Sequence, residues 1–304
     1  MSKFGPSRLV PYPSRSVVPE RDVNDVPVLE THHLGIDFGG LTAVDDFSLI
    51  VGKTEIAGLI GPNGAGKTTV FNLLTNVYKP TRGSIMIDGF SSAGKSTYQV
   101  NRMGIARTFQ NIRLFSNMSV LDNVKVGMHN ATHESLAASL THGLGYRKAE
   151  RLAAEKSMEL LDFFHLTEHA KEQAGSLPYG AQRRLEIVRA LATEPKILLL
   201  DEPAAGMNPS ETAELMENIR RIRDTFEIAI MLIEHDMSLV MGICEGICVL
   251  DYGKIIAKGS PDDPGQSQGH RGLSGQEGGE VIYAESGKLK CILRQDPRPE
   301  GRLL

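Results

Sequence analysis

The sequence predicts an α/β fold, a mainly parallel sheet with an antiparallel β edge and an inserted α-helical subdomain. After Leu177, strand-like apolar runs alternate with helical patterns, and that rhythm belongs to parallel sheets. A pair of stretches before residue 51, each alternating apolar and polar residues, reads as a hairpin and supplies the antiparallel edge. Between them, from about Ser91 to Ala174, the chain is rich in Ala, Leu, Glu, His and Lys and reads as largely helical.

In chain order, residues 1–27 contain Pro and Ser without apolar periodicity and read as a flexible leader with no chemistry. From Val28 onward, Leu34, Ile36 and Phe38 alternate with polar neighbours, Gly39-Gly40 marks a turn, and Ala43 to Ile50 forms the second hairpin strand. Glu55 to Ile60 is a short apolar strand running into a glycine-rich loop and a helical stretch, Thr68 to Leu74. Residues 28–90 and 175–263 thus make the α/β core, and about 91–174 the helical subdomain, where Ala149 to Phe164 has apolar residues at helical spacing. The returning rhythm gives helix Ala181 to Ala192, strand Lys196 to Leu200, helix Ser210 to Arg223, strand Ile228 to Ile233, a helix from Met237 and strand Gly246 to Leu250.

Composition narrows the function. The 304 residues suit about two compact units, and 41% hydrophobic content provides their cores. With 33 basic against 37 acidic residues the net charge is −4, which excludes a polycation built around nucleic acid. The longest apolar stretches, such as Ile228 to Ile233, fall far short of the ~18 residues of a membrane-spanning helix. The first twenty residues hold four prolines and no apolar h-region, so cytosolic residence is expected. Cys244, Cys248 and Cys291 lack the further ligands of a zinc site and read as small buried side chains.

The chemistry begins at Gly61-Pro62-Asn63-Gly64-Ala65-Gly66-Lys67-Thr68, which fits the phosphate-loop pattern G-x-x-x-x-G-K-[ST] and lies between an expected strand and helix. Glycines let backbone N–H groups turn inward around a polyanion, and the helix points its positive end at the phosphates. Lys67 is expected on the β/γ-phosphates and the Thr68 hydroxyl on Mg²⁺. No internal repeat is visible, so one nucleotide-binding unit is expected. Ile197 to Leu200 is an apolar strand ending in Asp201 and Glu202, the Walker B arrangement: Asp201 faces Mg²⁺ and Glu202 orients or deprotonates the attacking water. Gln110 would coordinate Mg²⁺ or the water, and His235, just past a strand, would hydrogen-bond the γ-phosphate. Phe38 suits either stacking on adenine or a place in the core.

The order of these motifs over about residues 28 to 263 resembles the nucleotide-binding subunits of ABC transporters. Leu177-Pro178-Tyr179-Gly180-Ala181-Gln182-Arg183-Arg184 occupies the place of their signature, with Pro178, Tyr179 and Ala181 replacing the serine, first glycine and glutamine of L-S-G-G-Q. Binding there would rest on Gly180 and the N–H groups of the following helix. L-P-Y-G followed by Gln-Arg-Arg-Leu-Glu-Ile resembles the ATPases of branched-chain amino-acid importers. So do Ala106 to Phe115, Ala204 to Pro209 and Leu250 to Ala257. The resemblance implies ATP binding by Phe38 and Gly61 to Thr68 with Thr69 beside them, and catalysis by Glu202, His235 and Gln110. It implies Mg²⁺ on Thr68, Gln110 and Asp201, with Leu177 to Gln182 facing a partner's ATP. The implied partners are a second ABC ATPase, identical or different, two transmembrane permease subunits and an external solute-binding protein. The place of work is the cytoplasmic face of a bacterial inner membrane. A soluble ABC-type ATPase would carry two cassettes or a long coiled coil, and a nucleotide-sensing module would not need Asp201, Glu202 and His235 together.

The resemblance stops after Gly259-Ser260-Pro261-Asp262-Asp263. The tail, residues 264–304, is rich in glycine, shows no strand or helix period and reads as disordered. It reads either as a natural disordered extension or as the product of a one-nucleotide shift near Asp263 to Gly265 that replaced the native C-terminus, and the codons favour the shift. Codons exist for Gln266 to Gly275 whose neighbouring frame reads N-P-R-V-I-E-A-Y-L-G, resembling the usual ending of this ATPase family; Gln266 as CAA followed by the T of Ser267 gives AAT, asparagine. In the same frame Gly279-Glu280-Val281 can encode a purine-rich ribosome-binding sequence, and Val281 with Ile282 a stop codon. From Tyr283 that frame reads M-L-K-V-E-N-L-N-V-Y-Y-G-K, resembling the start of the importer's second ATPase. Resequencing codons 264–304 is expected to yield both peptides in the adjacent frame, and removing these residues should leave ATP hydrolysis unchanged. A DNA sequence without those peptides overturns the shifted-frame reading.

Overall fold

A computed structural model of the chain describes residues 27–128, 144–259, 261, 280–285 and 288–293. The leader, apart from Pro27, and most of the tail lie outside the described residues. The chain opens with the expected hairpin, β1 (Leu29–Phe38) and β2 (Leu41–Val51), followed by β3 (Ile56–Ile60) and helix α1 (Lys67–Leu74). β4 (Arg82–Ile87) and β5 (Phe90–Ser91) then complete a four-stranded antiparallel sheet in the order β2-β1-β4-β5.

The stretch expected to be helical from about residue 91 begins with two elements of the core, α2 (Thr97–Met103) and β6 (Ile105–Arg107). β6 pairs in parallel with the later strand at residues 197–199 and forms one edge of the main sheet. Three residues are too few to show a strand period, so the composition of the surrounding segment masked it. The helical part follows with α3 (Val120–Met128) and α4 (Leu144–Phe163), and the core resumes with α5 (Tyr179–Leu191). Alternation then resumes with β7 (Ile197–Asp201), α6 (Pro209–Phe226), β8 (Ala229–Ile233), α7 (Met237–Ile243), β9 (Gly246–Asp251) and β10 (Lys254–Gly259). The main sheet runs β10-β9-β3-β8-β7-β6, parallel except for β10, which returns antiparallel to β9.

β3, β7 and β8 are buried at every residue, as expected of strands covered on both faces. Their side chains divide by parity. Leu198, Leu200, Ile230 and Leu232 join the core shared with α5, α6, α7 and the helical subdomain. Ile197, Leu199, Ala229, Met231 and Ile233 join the core shared with α1 and the antiparallel sheet, where Phe47 and Phe71 are fully buried. The helical subdomain meets the core where α3 lies directly on α5, for a Cβ on Gly127 would sit 2.5 Å from the Arg189 carbonyl oxygen.

The tail, expected to lack strands, contains β11 (Glu280–Glu285) and β12 (Lys288–Leu293), which pair with each other as a separate antiparallel sheet. Val281, Ile282 and Tyr283 favour strand, and Ser286-Gly287 is a turn signal between the two runs; the glycine-rich flanks hid both.

Helix α6 starts with a capping box: the Asn208 side chain accepts from the N–H groups of Ser210 and Glu211, and Glu211 reaches back to the Asn208 N–H. Pro209 supplies a first helical residue with no N–H to satisfy. Asn208→Ala is expected to lower stability by about 1 kcal/mol in urea denaturation, and an unchanged midpoint would show that the cap carries no stability.

Candidate nucleotide site

The phosphate loop leaves β3 and enters α1 through backbone that only glycine accommodates. Gly61 has φ +152°, and a Cβ there would meet the Leu250 carbonyl oxygen at 2.0 Å. Gly66, at φ +101°, caps α1 with no room for a side chain beside the Ala43 carbonyl. No side chain caps α1 and no acidic residue stands in its first turn, so the helix's positive end is not neutralised by its own sequence. Lys67 is buried, and its Nζ donates to the carbonyl oxygens of Gly61 at 2.6 Å and Pro62 at 2.9 Å. Burial lowers its pKa, opposed by the charges of Glu202 and Asp201. Thr68 is exposed and Thr69 half-buried.

Asp201 ends β7 in a buried position, and Arg107, at the end of the neighbouring β6, donates to its Oδ2 at 2.7 Å. The same guanidinium donates to Asn72 of α1 at 2.7 Å and lies near the rings of Phe71 and Phe109. Glu202 follows with φ +48°; its N–H donates to the Ile233 carbonyl and its own carbonyl accepts from Ala205. Gln110 Nε2 donates to Glu202 Oε2 at 2.6 Å. Two side chains 92 residues apart thus meet, and the pairing of β6 with β7 places them. His235 is 69% exposed, directly after the buried Glu234. Glu234 accepts from the N–H groups of Ala204 at 2.8 Å and His235 at 3.1 Å, and burial raises its pKa.

Phe38 is 43% exposed at the end of β1, so it is not a core aromatic. Tyr78 meets it edge to face, with ring centroids 5.2 Å apart. In the signature segment Leu177 is buried and Pro178 caps α5 without a side-chain hydrogen bond. Helix α5 begins at Tyr179, two residues before the sequence expectation, so Tyr179, Gly180 and Ala181 form its first turn. Tyr179 is half-exposed, and its hydroxyl donates to the Ala205 carbonyl at 3.3 Å. Gln182 Nε2 donates to the Leu177 carbonyl, closing the turn.

Sequence reasoning assigned no part to Arg107, Tyr78 or Glu234, nor to the buried pair Arg183 and Glu186 within the signature helix. The available signal was a charge ending or interrupting an apolar run: Arg107 after Ile105-Ala106, Glu234 after Ile228 to Ile233, and Glu186 between Leu185 and Ile187.

The sequence pattern of the ABC transporter family matches residues 44–205, more than half of the chain. The chain belongs to that family. This ABC transporter chain is 47% identical over 237 residues to the high-affinity branched-chain amino acid transport ATP-binding protein LivG of Salmonella typhimurium, covering 78% of this chain and 93% of that protein. It is 45% identical over 236 residues to BraF of Pseudomonas aeruginosa, which has the same description, covering 78% and 92%. Its fold matches the ADP conformation of MJ1267, an ATP-binding cassette of an ABC transporter, with TM-score 0.67 and 31% identity over 77% of this chain and 91% of that one.

Both side chains of the Arg107–Asp201 pair are at least 95% buried, so removing one partner leaves an uncompensated charge. Arg107→Met is expected to cost about 3 kcal/mol of folding stability, and the double variant Arg107→Met/Asp201→Asn less than that. Urea denaturation measures both, and a loss under about 1 kcal/mol for the single variant would remove the pair from the fold's support.

Proposed function

We propose that the chain is the ATP-binding and ATP-hydrolysing subunit of a bacterial ABC importer for branched-chain amino acids. The observation that carries the catalytic part is the 2.6 Å bond between Gln110 and Glu202, made where Lys67 feels the charges of both Asp201 and Glu202. A water bound beside this Gln110–Glu202 pair would face the phosphate that Lys67 attracts, with Glu202 as proton acceptor. His235 would donate to the γ-phosphate from its exposed position, and Phe38 would stack on the base. The loop from Gly61 to Gly66, with Lys67, Thr68 and Thr69, would hold the phosphates.

The residues fit magnesium. The Thr68 hydroxyl, the Asp201 carboxylate and the Gln110 carbonyl are hard oxygen donors, and Arg107 bonds one carboxylate oxygen of Asp201, leaving the other outside that bond. When bound, the ion would neutralise charge on the β- and γ-phosphate oxygens.

Leu177 to Gln182 would meet the ATP of a second, similar subunit, since one chain with one phosphate loop and one signature cannot complete a site. Dimer closure would act on two membrane permeases supplied by an external solute-binding protein. Among the described residues no helix is long and apolar enough to cross a membrane. The subunit would sit peripherally on the cytoplasmic face of the inner membrane. The names of LivG and BraF support the cargo.

Glu202→Gln should keep ATP affinity while phosphate release falls at least about a hundredfold, because an amide cannot accept the proton. Lys67→Ala should weaken ATP binding about ten- to a hundredfold in calorimetry. Turnover of Glu202→Gln within a few-fold of the parent would remove Glu202 as base. Uptake of labelled leucine, isoleucine and valine should fall in cells lacking the gene, and unchanged uptake would overturn the cargo.

A further inference from the structure

Phe38 is the last residue of β1, where Gly39 and Gly40, both at positive φ, turn the chain back into β2. At the tip of so short a turn its side chain is only partly enclosed, with 43% of the residue exposed. A ring free to change rotamer loses that freedom when a planar ligand stacks on it, and the loss weakens binding. Here a second ring restricts it in advance. Tyr78, itself 38% exposed, meets Phe38 edge to face with the centroids 5.2 Å apart.

The segment that carries Tyr78 is fixed on both sides. Before it, the Tyr78 N–H donates to the Asn72 carbonyl in the last turn of α1 at 3.0 Å, and the buried Asn76 donates through Nδ2 to the carbonyl oxygens of Ser92 and Lys95. After it, Thr81 donates to the Gly35 carbonyl of β1 from its N–H at 2.9 Å and from its hydroxyl at 3.1 Å. Asp37, the neighbour of Phe38, accepts from Arg82 at 2.7 Å, from Thr81 at 3.3 Å and, across the hairpin, from Thr42 at 2.7 Å. The end of β1 and the chain after Tyr78 are thus joined by backbone and charge, so the meeting of the two rings does not depend on two free side chains finding each other. Helix α1 begins at the phosphate loop and holds the Tyr78 N–H at its other end, which ties the place of the Phe38 ring to that of the phosphates.

We propose that Tyr78 is a positioning residue for the nucleobase: it presets the Phe38 ring for stacking and links it through α1 to the phosphate loop. This rests on the ATP site, and on the stacking by Phe38, proposed above.

The test compares binding of Mg-ATP with that of Mg-tripolyphosphate, which carries the phosphates without a base, to the full chain with Glu202→Gln to prevent turnover. Tyr78→Ala should weaken ATP binding about three- to tenfold and leave tripolyphosphate within about twofold, a split that general damage to the fold would not give. Tyr78→Phe, which keeps the ring, should bind ATP within about twofold of the parent. In a chain already carrying Phe38→Ala, Tyr78→Ala should cost nothing further. If Tyr78→Ala fails to fold, Tyr78→Leu carries the same test, for it keeps apolar volume without a ring. Three results overturn the role of Tyr78: tripolyphosphate affinity falling in step with ATP affinity, an undiminished effect beside Phe38→Ala, or unchanged ATP affinity where Phe38→Ala alone weakens it. Tyr78→Phe behaving as Tyr78→Ala overturns it as well. Unchanged ATP affinity in Phe38→Ala itself overturns the stacking and the proposal with it, and a chain that binds no ATP overturns the site.

Discussion

A strand buried on both faces has nowhere to place a polar side chain except at its end. β3, β7 and β8 are buried throughout, so the main sheet collects its chemistry along one edge. The phosphate loop leaves the end of β3, Asp201 and Glu202 the end of β7, and Glu234 and His235 the end of β8. Parallel pairing brings these ends side by side: Asp201 is in register with Ile233, just before Glu234. The site follows from the sheet's direction more than from any loop's preference.

Charges gathered at such an edge repel unless something separates or neutralises them. Arg107 does this for Asp201, supplied by the short edge strand β6. Glu234 is handled differently: it accepts from the N–H groups of Ala204 and His235 and so ties the segment after Glu202 to the end of β8. Glu202 itself takes a left-handed backbone conformation, uncommon for a residue with a side chain, and its hydrogen bond to Ile233 helps hold it there.

The parts of this arrangement written as continuous patterns were legible in the sequence. The phosphate loop, the Asp201-Glu202 strand end and each strand of the hairpin β1-β2 fit within a dozen residues, and a local pattern suffices to find them. The short edge strands escaped. β5 has two residues and β6 three, too few to show a period, and the identity of β6 as a strand comes from pairing with β7, some ninety residues on. The partnership of Arg107 with Asp201, and of Gln110 with Glu202, spans more than ninety residues. Their residue types are ordinary for exposed loops, and only the fold shows that the Arg107 side chain is enclosed. Tyr78 was invisible for a related reason: it follows α1, far in sequence from the Phe38 ring it meets.

The contact of α3 with α5 has a mechanical consequence. Where side chains separate two helices, a push on one is absorbed as rotamers shift and the gap closes. At Gly127 there is no side chain to yield, since the space for even one methyl is taken by the Arg189 carbonyl and the Ala192 side chain. The joint is therefore as stiff as peptide backbone, and α3 and α5 can turn only as one lever about a pivot elsewhere.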